Sequence, residues 1–165
     1  MRVGIALGSN LDERLRLLRS ARLHLQGLHE DRGPFLCSRI YETEPVDCPP
    51  GSPLFFNAAI EIACTLPPLD LLTSLQRIEQ TLGRPKDHAF HAPRTIDLDI
   101  LYYDHLHFSL PELTLPHPRI SERAFVLCPL VDICPERILS GWEKSIADRL
   151  AEFLPMDLPK AVACF

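Results

Sequence analysis

The chain has 165 residues, of which 46% are hydrophobic and 24% are charged, a balance typical of one soluble globular domain. Its formal net charge of −5 argues against a general affinity for nucleic acids or anionic membranes. No apolar run approaches the ~20 residues of a membrane span, and the N-terminus lacks the pattern of a secretion signal. We therefore predict a single cytoplasmic domain over 1–165 that binds neither nucleic acid nor membrane.

Six cysteines are distributed along the chain without a C-x-x-C pair. In a reducing cytosol such cysteines remain free thiols, and several lie in apolar stretches where cysteine behaves as a small hydrophobic residue. We therefore expect neither a disulfide framework nor a zinc site.

The first half of the chain predicts one helix and three strands. Residues 2–7 form a short first strand, and Ser9 with Asp12 three residues later fits the N-cap box of a helix of about 17 residues. Residues 35–42 and 55–64 alternate in the manner of two further strands, which we expect to pair in antiparallel fashion.

The second half begins with an amphipathic helix over 67–83, for which Gly83 suits the C-cap. A strand follows at 96–103, and further helices are predicted near 121–128 and over 143–154. The order βαββαβ is that of the ferredoxin-like split βαβ pattern. We predict an α+β fold in which helices pack on an antiparallel sheet and extra helices follow at the C-terminus.

Two proline-rich connections, 43–54 and 83–95, are long for a chain of this size. Structureless connections of about a dozen residues are uncommon in compact domains and often form lids or binding loops. The second connection leads directly into the strand 96–103, so a binding loop would end beside the residues that this strand carries.

Asp97 and Asp99 alternate with apolar residues in that strand, so both carboxylates point to one face. Like charges side by side are destabilising unless something offsets them. One interpretation of this strand is that its polar face is simply turned to water. Several basic residues precede the strand: Arg84, Lys86, His91 and Arg94. Carboxylates beside a basic cluster suggest Mg²⁺ with a phosphate ligand, because Mg²⁺ takes one or two carboxylates together with water and phosphate oxygens.

Arginine forms bidentate pairs with phosphate oxygens, and the candidates for a phosphate clamp are Arg84, Arg94, Arg119 and Arg123. His117 lies between two prolines in a rigid loop, where a phosphate contact is plausible. His105 and His107 could mimic a metal pair, but they follow a turn and lack a third ligand, so we expect them on the surface.

Asn57 and Phe55 share one face of the strand 55–64. An amide supplies both a donor and an acceptor, so Asn57 can read the edge of a flat heterocycle while an aromatic ring stacks on it. The alternative is an ordinary polar residue with satisfied hydrogen bonds. The sequence has no P-loop, no G-x-G-x-x-G and no G-x-S-x-G, so nucleotide chemistry would need another framework.

Six segments resemble one family in order and spacing: ALGSNL (6–11), YETEP (41–45), FFNAAIEI (55–62), QRIEQTLGR (76–84), APRTIDLDIL (92–101) and LPHPRISERAFVLCPL (115–130). They are similar to the 6-hydroxymethyl-7,8-dihydropterin pyrophosphokinases of folate biosynthesis over about residues 3–136. The resemblance implies a ferredoxin-like core. It also implies transfer of the pyrophosphoryl group of ATP to the pterin hydroxymethyl oxygen, with release of AMP.

The resemblance implies that Asp97 and Asp99 hold two Mg²⁺ ions and act in catalysis together with Arg84 and Arg94. The residues that match the pterin site are Thr43, Pro45, Val46, Phe55, Asn57 and Phe125. The residues that match the ATP site are Gln76, Arg84, Arg94, Ile100, Thr114, His117 and Arg123. ATP and the hydroxymethyl dihydropterin are the small-molecule partners that follow, and we expect the chain to act as a monomer.

The sequence departs from the family pattern before Pro93. The family usually has a basic residue, a tryptophan and a glycine there, whereas this chain has Phe90, His91 and Ala92, and Asp87 stands where a cation is common. We expect activity to survive with a loop that closes differently. The chain shows no dihydroneopterin aldolase or dihydropteroate synthase extension, so we expect it to act alone.

Two other classes of function stay open at this stage. A metal-dependent nucleotidyltransferase also uses a Gly-Ser pair and an Asp-x-Asp pair, although these usually lie about a dozen residues apart, whereas Ser9 and Asp97 are 88 positions apart. A ferredoxin-like binding module for RNA should be basic and carry exposed aromatic residues on its central strands, whereas this chain is acidic. A regulatory module would bind the pterin without consuming ATP.

Overall fold

The computed structural model describes residues 1–11, 13–30, 33–46, 48–85 and 95–165. Arg94 and the departure at 90–92 therefore lie outside the described residues. Within the described ranges no helix combines the length and the apolar character that a membrane crossing requires. All six cysteines are free thiols, as the sequence predicts.

The described residues form eight strands and four α-helices. The strands are β1 (Arg2–Ser9), β2 (Leu36–Cys37), β3 (Ile40–Thr43), β4 (Phe55–Ala63), β5 (Asp97–Tyr103), β6 (Phe108–Leu110), β7 (Leu113–Leu115) and β8 (Lys160–Ala163). The helices are α1 (Arg14–Leu28), α2 (Pro68–Thr81), α3 (Ala124–Ile133) and α4 (Ile146–Leu150), with short 3₁₀ turns at Ile120–Glu122 and Pro155–Asp157.

The main sheet has the strand order β5-β1-β4-β3-β8, with β2 also paired to β4, and every pairing is antiparallel. The first four strands of this order, with α1 and α2 as crossovers, form the ferredoxin-like βαββαβ core that the sequence predicts. The strands β6 and β7 form a separate hairpin. The α+β prediction is therefore confirmed.

The expectation that Ser9 caps the first helix is wrong. Ser9 is the last residue of β1 and pairs with Phe56 of β4, so it is already committed to the sheet. Its hydroxyl donates a hydrogen bond to the carbonyl oxygen of Thr95 at 2.5 Å. The helix α1 begins instead at Arg14, and its N-cap residue Glu13 makes no side-chain capping hydrogen bond. Asp12, the other member of the expected box, lies outside the described residues.

The helix expected near 121–128 lies at Ala124–Ile133, and two other elements differ more from the prediction. The strand expected over 35–42 is divided into β2 and β3. The main-chain N–H of Ser38 still donates to the carbonyl oxygen of Ala59, but the N–H of Ala59 donates to the Ser38 hydroxyl instead of a main-chain carbonyl, and the register on β4 shifts between Cys37 and Tyr41. The helix expected over 143–154 is reduced to α4, whose first turn is held by a capping box between Ser145 and Asp148. The four residues of β8 then add an edge strand beside β3 that the sequence did not indicate.

Helices cover both faces of the sheet, but to different extents. On one face α1 and α2 bury a large apolar cluster that includes Leu98 and Ile100 of β5. On the other face α3 packs over Leu101 and Tyr102 in a second cluster. Because side chains alternate along a strand, burial of Leu98 places Asp97 and Asp99 on the face that α3 covers. The cavity described below opens on this face.

A close contact between β1 and β5 holds the second cluster in place. The register shifts between Gly4 and Ile5, and the ring of Tyr102 lies directly over Gly4. A Cβ atom added to Gly4 would stand 2.3 Å from Cε1 of Tyr102. The Tyr102 hydroxyl donates to Oε2 of the buried Glu61 at 2.7 Å, so the ring cannot move away without breaking that hydrogen bond.

We predict that Gly4→Ala lowers the free energy of unfolding by about 1–3 kcal/mol, because the methyl group overpacks the cluster against a fixed ring. Gly27→Ala is the matched control, since a Cβ there meets nothing within 4 Å and alanine favours a helix over glycine. Urea denaturation followed by circular dichroism measures both. An unchanged free energy of unfolding for Gly4→Ala would show that the Tyr102 ring moves aside without a measurable loss of stability.

Candidate active site

The floor of the candidate site is a row of residues across three strands. The register places Gly8 of β1 between Asp97 of β5 and Asn57 of β4, and it pairs Ala6 with Asp99. A Cβ atom on Gly8 would lie 3.1 Å from Oδ1 of Asn57. Glycine and alanine at the centre of the row therefore leave an open trough between the carboxylates and the amide.

A cavity of about 400 Å³ lies on this floor and is bounded by α3 and by the loop after β3. Most of the predicted site residues line it: Thr43, Val46, Phe55, Asn57, Arg84, Asp97, Asp99, His117, Arg123 and Phe125. Arg119, a phosphate candidate in the sequence, lines it as well. The cavity thus joins an aromatic and amide end to an end that is rich in ionic side chains.

A second cleft of about 360 Å³ lies between α2 and β5 and is lined by Gln76, a predicted ATP-site residue. Arg84, Asp97 and Asp99 line both spaces. The two aspartates therefore stand at the junction of two binding spaces of different chemical character.

Arg84 reaches this junction because of the way α2 ends. Gly83 has a φ of +96°, a left-handed conformation that glycine adopts easily, and the next N–H donates back to the carbonyl oxygen of Glu79. The turn directs Arg84 to β5, where its Nη1 atom lies 2.5 Å from Oδ1 of Asp97 and 2.5 Å from Oε1 of Glu79. A largely buried guanidinium therefore neutralises part of the acidic charge.

Glu79 is a component of the site that the sequence analysis missed. Burial raises the pKa of this carboxyl to about 7, and the neighbouring aspartates add to the effect, while Arg84 and the N–H of Leu98 oppose it. The sequence pattern could have identified Glu79 as a buried acid, because it follows Leu71 and Leu75 at helical spacing on the core face of α2. An acid at such a position requires a partner.

The donor set of the junction fits Mg²⁺. Asp97 and Asp99 offer carboxylate oxygens from one strand face, and both side chains are partly accessible in the cavity. In the described part of the chain, no three or more His, Cys, Asp or Glu side chains cluster in a way that could hold a metal. The two carboxylates suit Mg²⁺ because this ion takes one or two carboxylates and fills its other positions with water and phosphate oxygens.

His117 is tied to the edge of β5 by its main-chain N–H, which donates to the carbonyl oxygen of Leu101 at 2.8 Å. Its Nδ1 atom accepts the N–H of Arg119 at 3.2 Å, so the neutral ring carries its proton on Nε2. Burial lowers the pKa of His117, and Arg123 and Arg119 lower it further. The imidazole is thus a neutral hydrogen-bond donor at the rim of the cavity.

Asn57 is oriented by its neighbour across the hairpin. Its Nδ2 atom donates to Oγ1 of Thr43 at 2.7 Å, which leaves Oδ1 beside Gly8. On the opposite wall the guanidinium of Arg123 lies 5.4 Å from the ring centroid of Phe125. Flat walls and a fixed amide make this end of the cavity suitable for a planar heterocycle.

Three predicted residues, Pro45, Ile100 and Thr114, line neither of these two spaces. Pro45 lies between two lining residues, and Thr114 is half-buried in β7. The side chain of Ile100 is 2% exposed and packs in the core beneath α1 and α2. Only its main chain is therefore available to a nucleotide.

The sequence model of the 7,8-dihydro-6-hydroxymethylpterin-pyrophosphokinase (HPPK) family matches residues 4–135. The chain belongs to this family. The HPPK match spans every described residue of the two spaces around Asp97, including Gln76, Glu79 and Phe125.

Two relatives that are named as pyrophosphokinases are similar over most of their length. The 2-amino-4-hydroxy-6-hydroxymethyldihydropteridine pyrophosphokinase of Bacillus subtilis is 42% identical over 132 residues, which cover 80% of this chain and 77% of that protein. The enzyme of the same name from Pseudomonas aeruginosa is 41% identical over 135 residues, 82% of either chain.

Bifunctional relatives are much longer. A mitochondrial folate synthesis bifunctional protein of Arabidopsis thaliana is 42% identical over 134 residues, which make up only 23% of its length. Among solved structures, Plasmodium falciparum HPPK-DHPS with pteroate superposes with a TM-score of 0.69 over 92% of this chain and 42% of that chain. At 16% identity this likeness concerns the fold alone.

We predict that His117 of the free protein titrates below the ordinary pKa of 6.5. Because the folded state disfavours the charged ring, the contribution of His117 to stability is present above the unfolded pKa and is lost as the pH falls through the folded pKa. An NMR titration of the Hε1 proton, assigned with His117→Gln, measures it. A pKa at or above 6.5 would contradict the neutral-donor assignment.

Proposed function

We propose that this member of the HPPK family transfers the pyrophosphoryl group of ATP to 6-hydroxymethyl-7,8-dihydropterin across the junction at Asp97 and Asp99. The observation that carries the proposal is the meeting of two spaces at these carboxylates. One space ends in an amide and aromatic rings, and the other lies along α2. A donor and an acceptor bound in these spaces would bring their reacting ends to the same two side chains.

The pterin would lie at the end of the cavity formed by Phe55, Asn57 and Phe125. An amide offers both a donor and an acceptor to the edge of the heterocycle, and aromatic rings stack on its faces. The bond from Asn57 to Thr43 fixes the orientation of the amide before the ligand arrives. Such preorganisation reduces the entropy that is lost on binding.

The nucleotide would lie in the cleft beside Gln76. The N–H of Leu98 points to the outer edge of β5, where it meets Glu79. Because main-chain groups alternate along a strand, those of Ile100 point to the same edge and are available to an adenine ring. The Ile100 contact implied by the resemblance is therefore proposed for the main chain.

The phosphates would lie between Asp97, Asp99 and the basic side chains that surround them. Arginine pairs with phosphate oxygens through two N–H groups, which suits Arg84, Arg119 and Arg123. His117 would donate from Nε2 without adding charge. Arg94 carries the same proposed role from the resemblance alone.

The aspartates would hold Mg²⁺, which we propose as two ions. Bound Mg²⁺ would neutralise phosphate charge and lower the pKa of the pterin hydroxyl. The hydroxyl oxygen then attacks the β-phosphorus, the bond from that phosphorus to the α-bridging oxygen breaks, and AMP leaves while the hydroxyl proton passes to water. The protein contributes positioning and charge stabilisation to this step.

We propose a cytoplasmic location because the cysteines are free thiols. All six are free thiols, and Cys64, Cys128 and Cys134 are buried. Free thiols persist in a reducing compartment.

The activity is tested by incubating the protein with ATP, Mg²⁺ and the hydroxymethyl dihydropterin. We expect one AMP for each pterin diphosphate formed, and no AMP when the pterin is omitted. A nucleotidyltransferase would release pyrophosphate instead. This alternative needs the test because such enzymes place a Gly-Ser pair beside an Asp-x-Asp pair, and here Gly8 lies beside Asp97. Formation of AMP without pterin, or release of pyrophosphate, would overturn the proposal.

We predict that Asp97→Asn and Asp99→Asn each lower kcat by about 100- to 1000-fold, because each removes a charge that acts on the transition state. The unfolding midpoint should stay near that of the wild type, since the amide keeps the shape of the side chain. Asp104→Asn is the matched control, because Asp104 directly follows the same strand at a φ of 51°, which asparagine tolerates, and lines neither space. Normal turnover in both variants would refute the metal assignment.

A further inference from the structure

Glu79 is a buried acid on α2 whose polar contacts reach the strand β5 and Arg84. Its side chain lies on the core face of α2, and the residue is only 8% exposed. Burying a carboxylate is costly unless it is paired and hydrogen-bonded. Its Oε1 atom accepts the main-chain N–H of Leu98 at 2.7 Å and lies 2.5 Å from Nη1 of Arg84.

The first contact fixes the strand that carries the aspartates. In the described part of the main sheet β5 is the outermost strand, so the N–H of Leu98 faces away from β1 and has no strand neighbour. The carboxylate of Glu79 takes the place of the missing strand. Because Leu98 stands between Asp97 and Asp99, this hydrogen bond holds the strand segment from which both carboxylates project.

The second contact fixes the cation beside them. The same Nη1 atom of Arg84 also meets Oδ1 of Asp97 at 2.5 Å and the carbonyl oxygen of Ile96 at 3.5 Å. Glu79 therefore holds Arg84 from the helix side while Asp97 holds it from the strand side. An arginine held in this way presents its guanidinium at the junction of the two spaces without reorganising first.

We propose that Glu79 is a positioning residue for pyrophosphoryl transfer, which sets the strand segment 97–99 and the guanidinium of Arg84 relative to each other. This inference rests on the proposed function. Glu79 acts through Leu98 and Arg84, so its removal displaces the phosphate-binding groups and leaves the pterin end, with Asn57 and Phe55, in place.

Two substitutions separate the two contacts. Glu79→Gln keeps an oxygen that can accept the N–H of Leu98 but loses the charge that holds Arg84. Glu79→Ala loses both contacts. Removing the partner of a site-forming group typically costs 10- to 100-fold in metal affinity or activity. We expect kcat to fall about tenfold in Glu79→Gln and about 100-fold in Glu79→Ala, with the KM for the pterin unchanged.

Glu61→Gln is the matched control. Glu61 is another buried glutamate, it pairs with Arg2 and Arg137, and it lines neither of the two spaces. We expect this substitution to destabilise the fold while kcat and the affinity for Mn²⁺ stay at the wild-type values. Urea denaturation of all variants separates stability from turnover.

The affinity for Mn²⁺ is measured with a non-hydrolysable ATP analogue in each variant, beside steady-state kinetics. A weaker Mn²⁺ affinity and a lower kcat in Glu79→Ala, absent in Glu61→Gln, would support the proposal. Wild-type kcat and Mn²⁺ affinity in Glu79→Ala would overturn it. If the alanine variant does not fold, the same two measurements are made on Glu79→Gln and interpreted in the same way. If the wild-type protein forms no pterin diphosphate, the proposed function is wrong. The Mn²⁺ affinities of the variants would still test whether Glu79 positions the residues that bind the metal.

Discussion

The pairing of β1 with its two neighbours sets the geometry on which the site depends. Gly8 stands between Asp97 and Asn57 in one row, and Ala6 and Asp99 form the next pair on the same face. A slip of one residue in either pairing would turn every side chain of that strand to the other face. The apolar residues of the strands, which must face α1 and α2, prevent such a slip. Core packing therefore also determines where the aspartates and the amide meet.

Charge balance explains why this face can hold acidic side chains. Carboxylates two residues apart on a strand lie roughly 6.5 Å from each other and repel by about 2–3 kcal/mol at an effective dielectric constant of 20. An ion pair at about 4 Å gains about 4 kcal/mol on the same scale, so Arg84 can offset the repulsion. Arg84 contacts Asp97 and Glu79, and the accessible carboxylate oxygens of Asp97 and Asp99 are of the kind that a divalent cation binds.

The sequence was informative where a local period determines the structure. Alternation in the strands placed Asp97 with Asp99 and Phe55 with Asn57, and the order of elements identified the ferredoxin-like core. It was misleading for Ser9, because the same residue type that caps helices also ends a strand, and only the pairing with Phe56 decides between the two. The short β8 has too few residues to show a period, and its place beside β3 is a long-range contact.

For the site as well, the sequence predicted individual residues but not the contacts that depend on the packed fold. The residues that line the cavity come from β1, β3, β4, β5, α3 and the connections beside these elements, and the resemblance named most of them one by one. What no local pattern contains is the meeting of two spaces at the same pair of carboxylates, or the role of Glu79 as the neighbour of an outermost strand. Both depend on how α2 lies against β5, which is a property of the packed fold.

The most direct test of the account is whether a metal held by Asp97 and Asp99 stands beside the pterin. Mn²⁺, a non-hydrolysable ATP analogue and the hydroxymethyl dihydropterin are bound to the protein, and the paramagnetic broadening of the pterin proton resonances is measured. We predict strong broadening of the 6-hydroxymethyl protons that is lost when both aspartates are replaced by asparagine. Broadening that persists unchanged in the double variant, with the pterin still bound, would contradict the account.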